Sequence, residues 1–192
     1  VNNFQTRTTT FEKILDQRMK YWLQSIIFLC LLLIASCQED NKKQDDINEL
    51  MGRFDSIVVA QEKGPSLEYL YENTVDHITF PSLDSISIHA DVYKNGTSPI
   101  KLLLCHQAGY SRGAYISTGI ILGKLGFAAM AIDQRSGEIA KDIPNLTFQE
   151  AKNLGLSTEY IDAKQDIEAA INYLYESNGN EPIILVGSSY SA

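Results

Sequence analysis

The chain has 192 residues, 44% of them hydrophobic and 21% charged. That is the composition of an ordinary globular protein, long enough for one domain with a sizeable core. A net charge of −8 argues against a nucleic-acid partner. The three cysteines, Cys30, Cys37 and Cys105, are scattered and show no metal-ligand spacing, so neither a metal nor a cofactor is implied.

Residues 1–18 are polar and mixed in charge, and they precede what should be an extreme N-terminal signal. Met19 is the more natural start, and residues 1–18 read as an over-extended beginning that fold reasoning should omit. Residues 19–36 have a signal-peptide layout: Lys20 gives the positive end, Ile26 to Ala35 is apolar, and Ala35-Ser36 are small. The apolar run is too short for a membrane span, which needs ~20 residues. Ile34-Ala35-Ser36-Cys37 resembles the lipobox of bacterial lipoproteins. The resemblance implies cleavage before Cys37, multiple acylation of that cysteine and a stable tether in the cell envelope. An uncleaved anchor or plain secretion is the alternative. Residues 37–49 then read as the lipidated cysteine and a polar, solvated tether. With Cys30 removed and Cys37 acylated, only Cys105 remains a thiol, and no intrachain disulfide can form.

Residues 50–192 read as a partial α/β domain. Leu50, Phe54 and Val58 have helical spacing up to Lys63, Gly64-Pro65 stops that helix, and Ser66 to Tyr71 suggests a short second one. Val75 to Phe80 and Ser85 to Tyr93 alternate apolar and polar around the turn Pro81-Ser82-Leu83-Asp84, as an antiparallel hairpin does. Lys94 to Thr97 is the next turn. The pattern then changes. Lys101 to Cys105 and Phe127 to Ile132 are continuously apolar, as strands buried on both faces are. The helix expected over Ser111 to Leu125 makes them a parallel crossover unit. Phe148 to Leu154 reads as a short helix capped by Thr147. Thr158 to Tyr175 is the clearest helix, with Ile167, Ala170, Ile171 and Leu174 on one stripe and Glu159, Lys164 and Asp166 off it.

The last ten residues carry the chemistry. Ile183-Ile184-Leu185-Val186 reads as a buried parallel strand. Gly187-Ser188-Ser189-Tyr190-Ser191 fits G-x-S-x-small, the strand-turn-helix bend that exposes a serine nucleophile. The bend needs small residues two before and two after the nucleophile. Ser189 has Gly187 and Ser191 there, whereas Ser188 would put Val186 at the crowded position. Acyl transfer also needs donors for the oxyanion. One is the amide after the nucleophile, at Tyr190. The other comes from the loop after the third strand, His106 to Gly113, where Ala108 is the first choice and Gln107 the second.

With these residues in place the chain resembles the α/β-hydrolase family, particularly its dienelactone-hydrolase-like and esterase-like members. The matching stretches are the His106-to-Gly113 loop, Asp133-Gln134-Arg135-Ser136-Gly137 and Gly187-to-Ser191, and the likeness covers roughly Val75 to Ala192. Gln107 and Ser191 depart from the commoner glycines. The resemblance implies an α/β-hydrolase fold, a mostly parallel sheet entered through a β hairpin. It also implies a serine hydrolase that cleaves carboxylic esters through an acyl-enzyme. In the family the triad acid and histidine follow the nucleophile, so both are expected beyond Ala192. The chain accordingly reads as the N-terminal part of a longer enzyme, cut after the bend. His106, just before the oxyanion loop, is expected to be structural, as are Asp133 and Arg135, which shape a loop, and the buried Cys105. His77 and His89, in the early hairpin, are expected to be surface or structural residues. The expected partners are a small ester or peptide substrate and, through the lipid, a membrane. Two rivals stay open: a peptidase of the same fold, and a non-catalytic envelope lipoprotein on a degenerate hydrolase fold.

Overall fold

The computed structural model describes residues 41–93, 98 and 101–192. The N-terminal extension, the signal and lipobox residues including Cys37, and the turn at Lys94 to Thr97 lie outside the described residues. The chain divides into two compact units, residues 1–52 and 53–192, and the second carries the sheet and every candidate catalytic residue of the bend. Among the described residues no helix is long and apolar enough to cross a membrane.

The first helix, α1, runs over Asn41–Lys63 and so begins well before Leu50. The stretch expected to be an irregular tether is helical from Asn41 onward. Its polar residues support one another at helical spacing, as in the bond from Gln44 Nε2 to Asn48 Oδ1 at 3.2 Å. Ser66 caps α2 (Leu67–Thr74), its hydroxyl accepting from the Tyr69 amide at 3.2 Å.

Strands β1 (Val75–Pro81) and β2 (Ser87–Tyr93) form the antiparallel hairpin, with Val75 opposite Tyr93 and Pro81 opposite Ser87. Strand β3 (Lys101–Cys105) leads through a 3₁₀ turn at Arg112–Tyr115 into α3 (Ile116–Lys124), which returns to β4 (Ala128–Ile132). The helix expected over Ser111 to Leu125 is therefore a 3₁₀ turn and an α-helix in series. A small hairpin follows, β5 (Ile139–Ala140) and β6 (Ile143–Pro144), then α4 (Leu146–Asn153). Asn145 caps α4 in place of Thr147, its Oδ1 accepting from the Phe148 amide at 2.8 Å. Thr147 is instead tied to β2, its hydroxyl donating to Ser87 O and accepting from the His89 amide. A 3₁₀ turn at Tyr160–Asp162 precedes α5 (Ala163–Ser177), and β7 (Ile183–Gly187) closes the sheet.

The five long strands pair in the order β1-β2-β4-β3-β7. The hairpin joins antiparallel to β4, and β4, β3 and β7 are mutually parallel. Alternate residues of β3 face opposite layers. Leu102 and Leu104 pack with Tyr115, Ile116 and Ile120 on the α3 side. Leu103 and Cys105 pack with Ala169, Ala170 and Leu174 on the α5 side. The apolar run of β3 is thus explained by two covered faces, and burying Leu103 completely contributes about 1.5–3 kcal/mol. The fold is α/β, a five-stranded mixed sheet with helices packed on both faces. An antiparallel entry leads into parallel strands linked by helices, and the glycine-serine bend sits at the carboxyl end of one of them.

Candidate active site

The bend after β7 is a strained one. Ser189 has φ of +61°, in the left-handed region that residues with a Cβ rarely adopt. Such conformations cost of order 1–3 kcal/mol and persist only where the surroundings impose them. Gly187 makes this one possible: a Cβ there would lie 2.0 Å from Ser191 O and 2.5 Å from its carbonyl carbon, both backbone atoms. Ser191 fixes the far side of the turn. It is buried, accepts from the Ser188 amide at 3.0 Å, and lies within 3.1 Å of Cys105 O and 3.0 Å of His106 O. The small residue demanded by the motif therefore also bonds the bend to the end of β3. The result leaves Ser189 exposed at the carboxyl end of β7.

The loop after β3 lies beside it. Cys105 pairs with Gly187 in the parallel register, so the two segments leave the sheet about 4.8 Å apart. One carries His106, Gln107 and Ala108; the other carries Ser188, Ser189 and Tyr190. Gln107 and Ala108 are half-buried, and Gly109 has φ of +74°. The pairing brings together the stretches holding Ser189, Tyr190, Gln107 and Ala108. Cys37, the expected lipid site, lies outside the described residues.

His106 is wholly buried. Its Nδ1 donates to Gln107 O at 2.8 Å and its Nε2 accepts from the Gln134 amide at 3.0 Å, which fixes the neutral tautomer. Burial brings its pKa down to about 4. The ring is a brace between the loops after β3 and β4, with no role as a base. Gly137 lets those loops touch: a Cβ there would meet Tyr110 O at 1.8 Å and His106 Cε1 at 2.6 Å.

The other histidines lie across the sheet. His77 Nδ1 bonds to Asp91 Oδ1 at 2.7 Å, and its ring lies half-exposed against Tyr71. A carboxylate orienting an imidazole is the arrangement a general base uses. This pair sits on β1 and β2, however, and β7 is the opposite edge. Four strand spacings separate β1 from β7, roughly 19 Å at about 4.8 Å each. His89 lies on β2 as well. Among the described residues no histidine bonds to Ser189.

Two buried ionic clusters shape the surrounding loops. Arg112 donates to Asp91 at 2.8 Å and to Asp133 at 2.6 Å, and Tyr71 adds its hydroxyl to Asp91. Burial pushes the Asp133 carboxyl up to about 6, against the pull of Arg112 and the amides of Arg112 and Leu146. Arg135, 1% exposed, reaches Asp166 on α5 and both carboxylate oxygens of Asp84. Asp166, expected only to lie off the apolar stripe of its helix, is wholly buried as the partner of Arg135. Buried pairs of this kind add little net stability but fix the arrangement of the elements they join. Cys105 is buried in the core, and burial pushes its thiol up to about 12, so it is inert. Among the described residues no group of acidic, histidine or cysteine side chains could hold a metal.

Sequence reasoning missed what lies around Tyr190. Its hydroxyl accepts from Gln134 Nε2 at 3.0 Å and meets the Ser136 hydroxyl, and its ring stacks on Tyr160 at 4.9 Å between centroids. Gln134 and Ser136 were visible as members of the Asp133-to-Gly137 stretch. Nothing in their spacing pointed to a residue more than fifty positions away.

Comparison with known proteins found no matching family model and no matching curated relative. Among solved structures, an esterase from Pyrococcus furiosus aligns with a TM-score of 0.48 at 18% identity, covering 67% of this chain and 47% of that one. A thermostable carboxyl esterase from Bacillus coagulans aligns with a TM-score of 0.46 at 15% identity, over 62% of this chain and 37% of that one. An epoxide hydrolase from Vigna radiata aligns with a TM-score of 0.44 at 20% identity, over 67% and 33%. The chain spans less than half the length of each.

Proposed function

We propose that this chain is the N-terminal part of a lipid-anchored serine hydrolase of the cell envelope, with Ser189 as its nucleophile. The Ser189 oxygen attacks the carbonyl carbon of a carboxylic ester, and the alcohol leaves with a proton. Water then cleaves the acyl-enzyme. The amides of Tyr190 and Ala108, or of Gln107 in place of Ala108, hold the oxyanion. No step calls for a metal or a cofactor. The reading requires a histidine base, and His77, His89 and His106 are placed elsewhere. Cys37 carries the lipid.

The observation that supports this reading most is the left-handed Ser189, held in a bend whose glycine admits no Cβ. A turn that only reversed the chain would not need a strained, exposed serine. The test is hydrolysis of p-nitrophenyl butyrate by the full-length gene product. We expect a burst of nitrophenolate, absent in Ser189→Ala. A Ser189→Ala protein that turns over at the wild-type rate would overturn the assignment. Hydrolysis confined to peptide anilides would move the reading to a peptidase, and a folded wild type inert to both would move it to a binding lipoprotein. The anchor is tested separately: palmitate incorporation in cells should vanish in Cys37→Ser.

A further inference from the structure

We infer that Gln134, Ser136 and Tyr160 form a clamp on the Tyr190 side chain that aims the Tyr190 amide at the oxyanion, which makes Gln134 a positioning residue for the reaction. The inference rests on the hydrolase reading above.

Tyr190 follows the nucleophile directly, so any rotation of its peptide changes where its N–H points. Its side chain is gripped from three directions. Gln134 Nε2 donates to the phenol oxygen at 3.0 Å. The Ser136 hydroxyl meets the same oxygen. The Tyr160 ring lies on the Tyr190 ring, 4.9 Å between centroids and 26° from parallel. The first two grips come from the loop after β4 and the third from the turn before α5, and the first of these supports is firmly tied. The backbone of Gln134 is held by His106 and Asn145. Next to it, Arg135 is locked to Asp166.

Gln134 also carries a cost that stability alone does not explain. The residue is wholly buried, and its Oε1 has no hydrogen-bond partner among the described residues. A buried amide with one end orphaned is unfavourable, and an apolar side chain would avoid the loss. The end that is used is the one on Tyr190. A bend already strained at Ser189 needs such an external hold, because nothing in its own dihedral preferences keeps the amide pointed correctly.

The experiment compares Tyr190→Phe, Gln134→Met and the double variant in the full-length gene product, with p-nitrophenyl butyrate as substrate. Tyr190→Phe keeps the stacked ring and loses only the hydroxyl. Losing an oxyanion donor outright costs 10²–10³ in kcat, so a misaimed one should cost about tenfold, with KM changed by less than about twofold. The double variant should be no slower than either single one, because both break the same hold. Ser136→Ala serves as the milder probe if Gln134→Met does not fold. Wild-type kcat in Tyr190→Phe, or a rise in KM with kcat unchanged, would overturn the clamp. So would strictly multiplicative losses in the double variant. Ser189→Ala run in parallel separates the two readings: if it stays active the hydrolase assignment falls, and if it is dead while Tyr190→Phe is unimpaired only the clamp falls.

Discussion

Strands β3 and β7 are neighbours, parallel and in register from Lys101–Ile183 to Cys105–Gly187. Their sequences are near twins, a run of large aliphatic residues ending in a small or compact one. Their surroundings are not alike. Leu103 and Leu104 are 0% and 1% exposed, in a strand with a neighbour on each side and a helix layer on each face. β7 pairs with β3 and runs straight into the strained turn at Ser189. The same aliphatic pattern therefore serves two purposes. In β3 it builds the core, and the loop it launches is braced by buried His106. In β7 it carries the bend, and the strain at Ser189 is held in place by Ser191, Gly187 and the Tyr190 side chain. Rigidity in the first region is what permits strain in the second.

The contrast can be broken most severely at Gly187. Gly187→Val would put side-chain atoms into the Ser191 backbone, which cannot yield as a flexible side chain would. The bend should be lost together with all nitrophenyl ester hydrolysis, while circular dichroism still shows the α/β fold. On the β3 side, Leu103→Ala should cost about 2–5 kcal/mol in urea unfolding because the site is closed on all sides; a loss below about 1 kcal/mol would mean that it is not.

Acid should weaken the β3 side through His106. Its pKa lies at about 4 in the folded chain and near 6.5 in the unfolded one. Above pH 6.5 the ring is neutral in both states and its contribution is intact. Between 6.5 and 4 only the unfolded chain takes up the proton, so stability falls, by about 3 kcal/mol in all, and levels off below. Asp133 works in the opposite direction. Burial holds its carboxyl at about 6, so it favours the folded state as pH falls toward the ordinary carboxylate range. The His106 share is the difference in pH slope between wild type and His106→Gln, measured by denaturant midpoints from pH 7 to 4. A smaller effect than that of Leu103→Ala or His106 protonation is expected at Ser191→Ala. That change removes the hydroxyl tie between the bend and β3, costs about 1 kcal/mol, and should slow ester hydrolysis without abolishing it.

Much of this fold is legible in the chain because its signals are local. The apolar runs at Lys101 to Cys105 and Ala128 to Ile132, the alternation in the hairpin and the stripe on α5 each stand out without help from elsewhere. The bend is legible too, since sterics alone favour Ser189 over Ser188. What escapes a reading of the sequence depends on partners far away along the chain. Asp166 lies off the apolar stripe of its helix, and nothing nearby announces that Arg135 folds over it and buries it. Asn145 displaces Thr147 as the cap of α4 because β2 claims the threonine hydroxyl. The two-residue turn at Lys141 and Asp142, with φ of +47° and +63°, lacks the glycine or asparagine that would announce it. Only tertiary packing imposes it. Helix α1 begins early, its polar start supported by the Gln44–Asn48 side-chain bond, which a reading based on apolar spacing does not weigh.

The most direct test is to treat the full-length gene product with a fluorophosphonate and locate the adduct by peptide mass spectrometry. If the bend presents an activated hydroxyl, the label sits on Ser189 and disappears in Ser189→Ala. A folded protein that takes no label, or takes it on another residue while Ser189 stays free, contradicts the account.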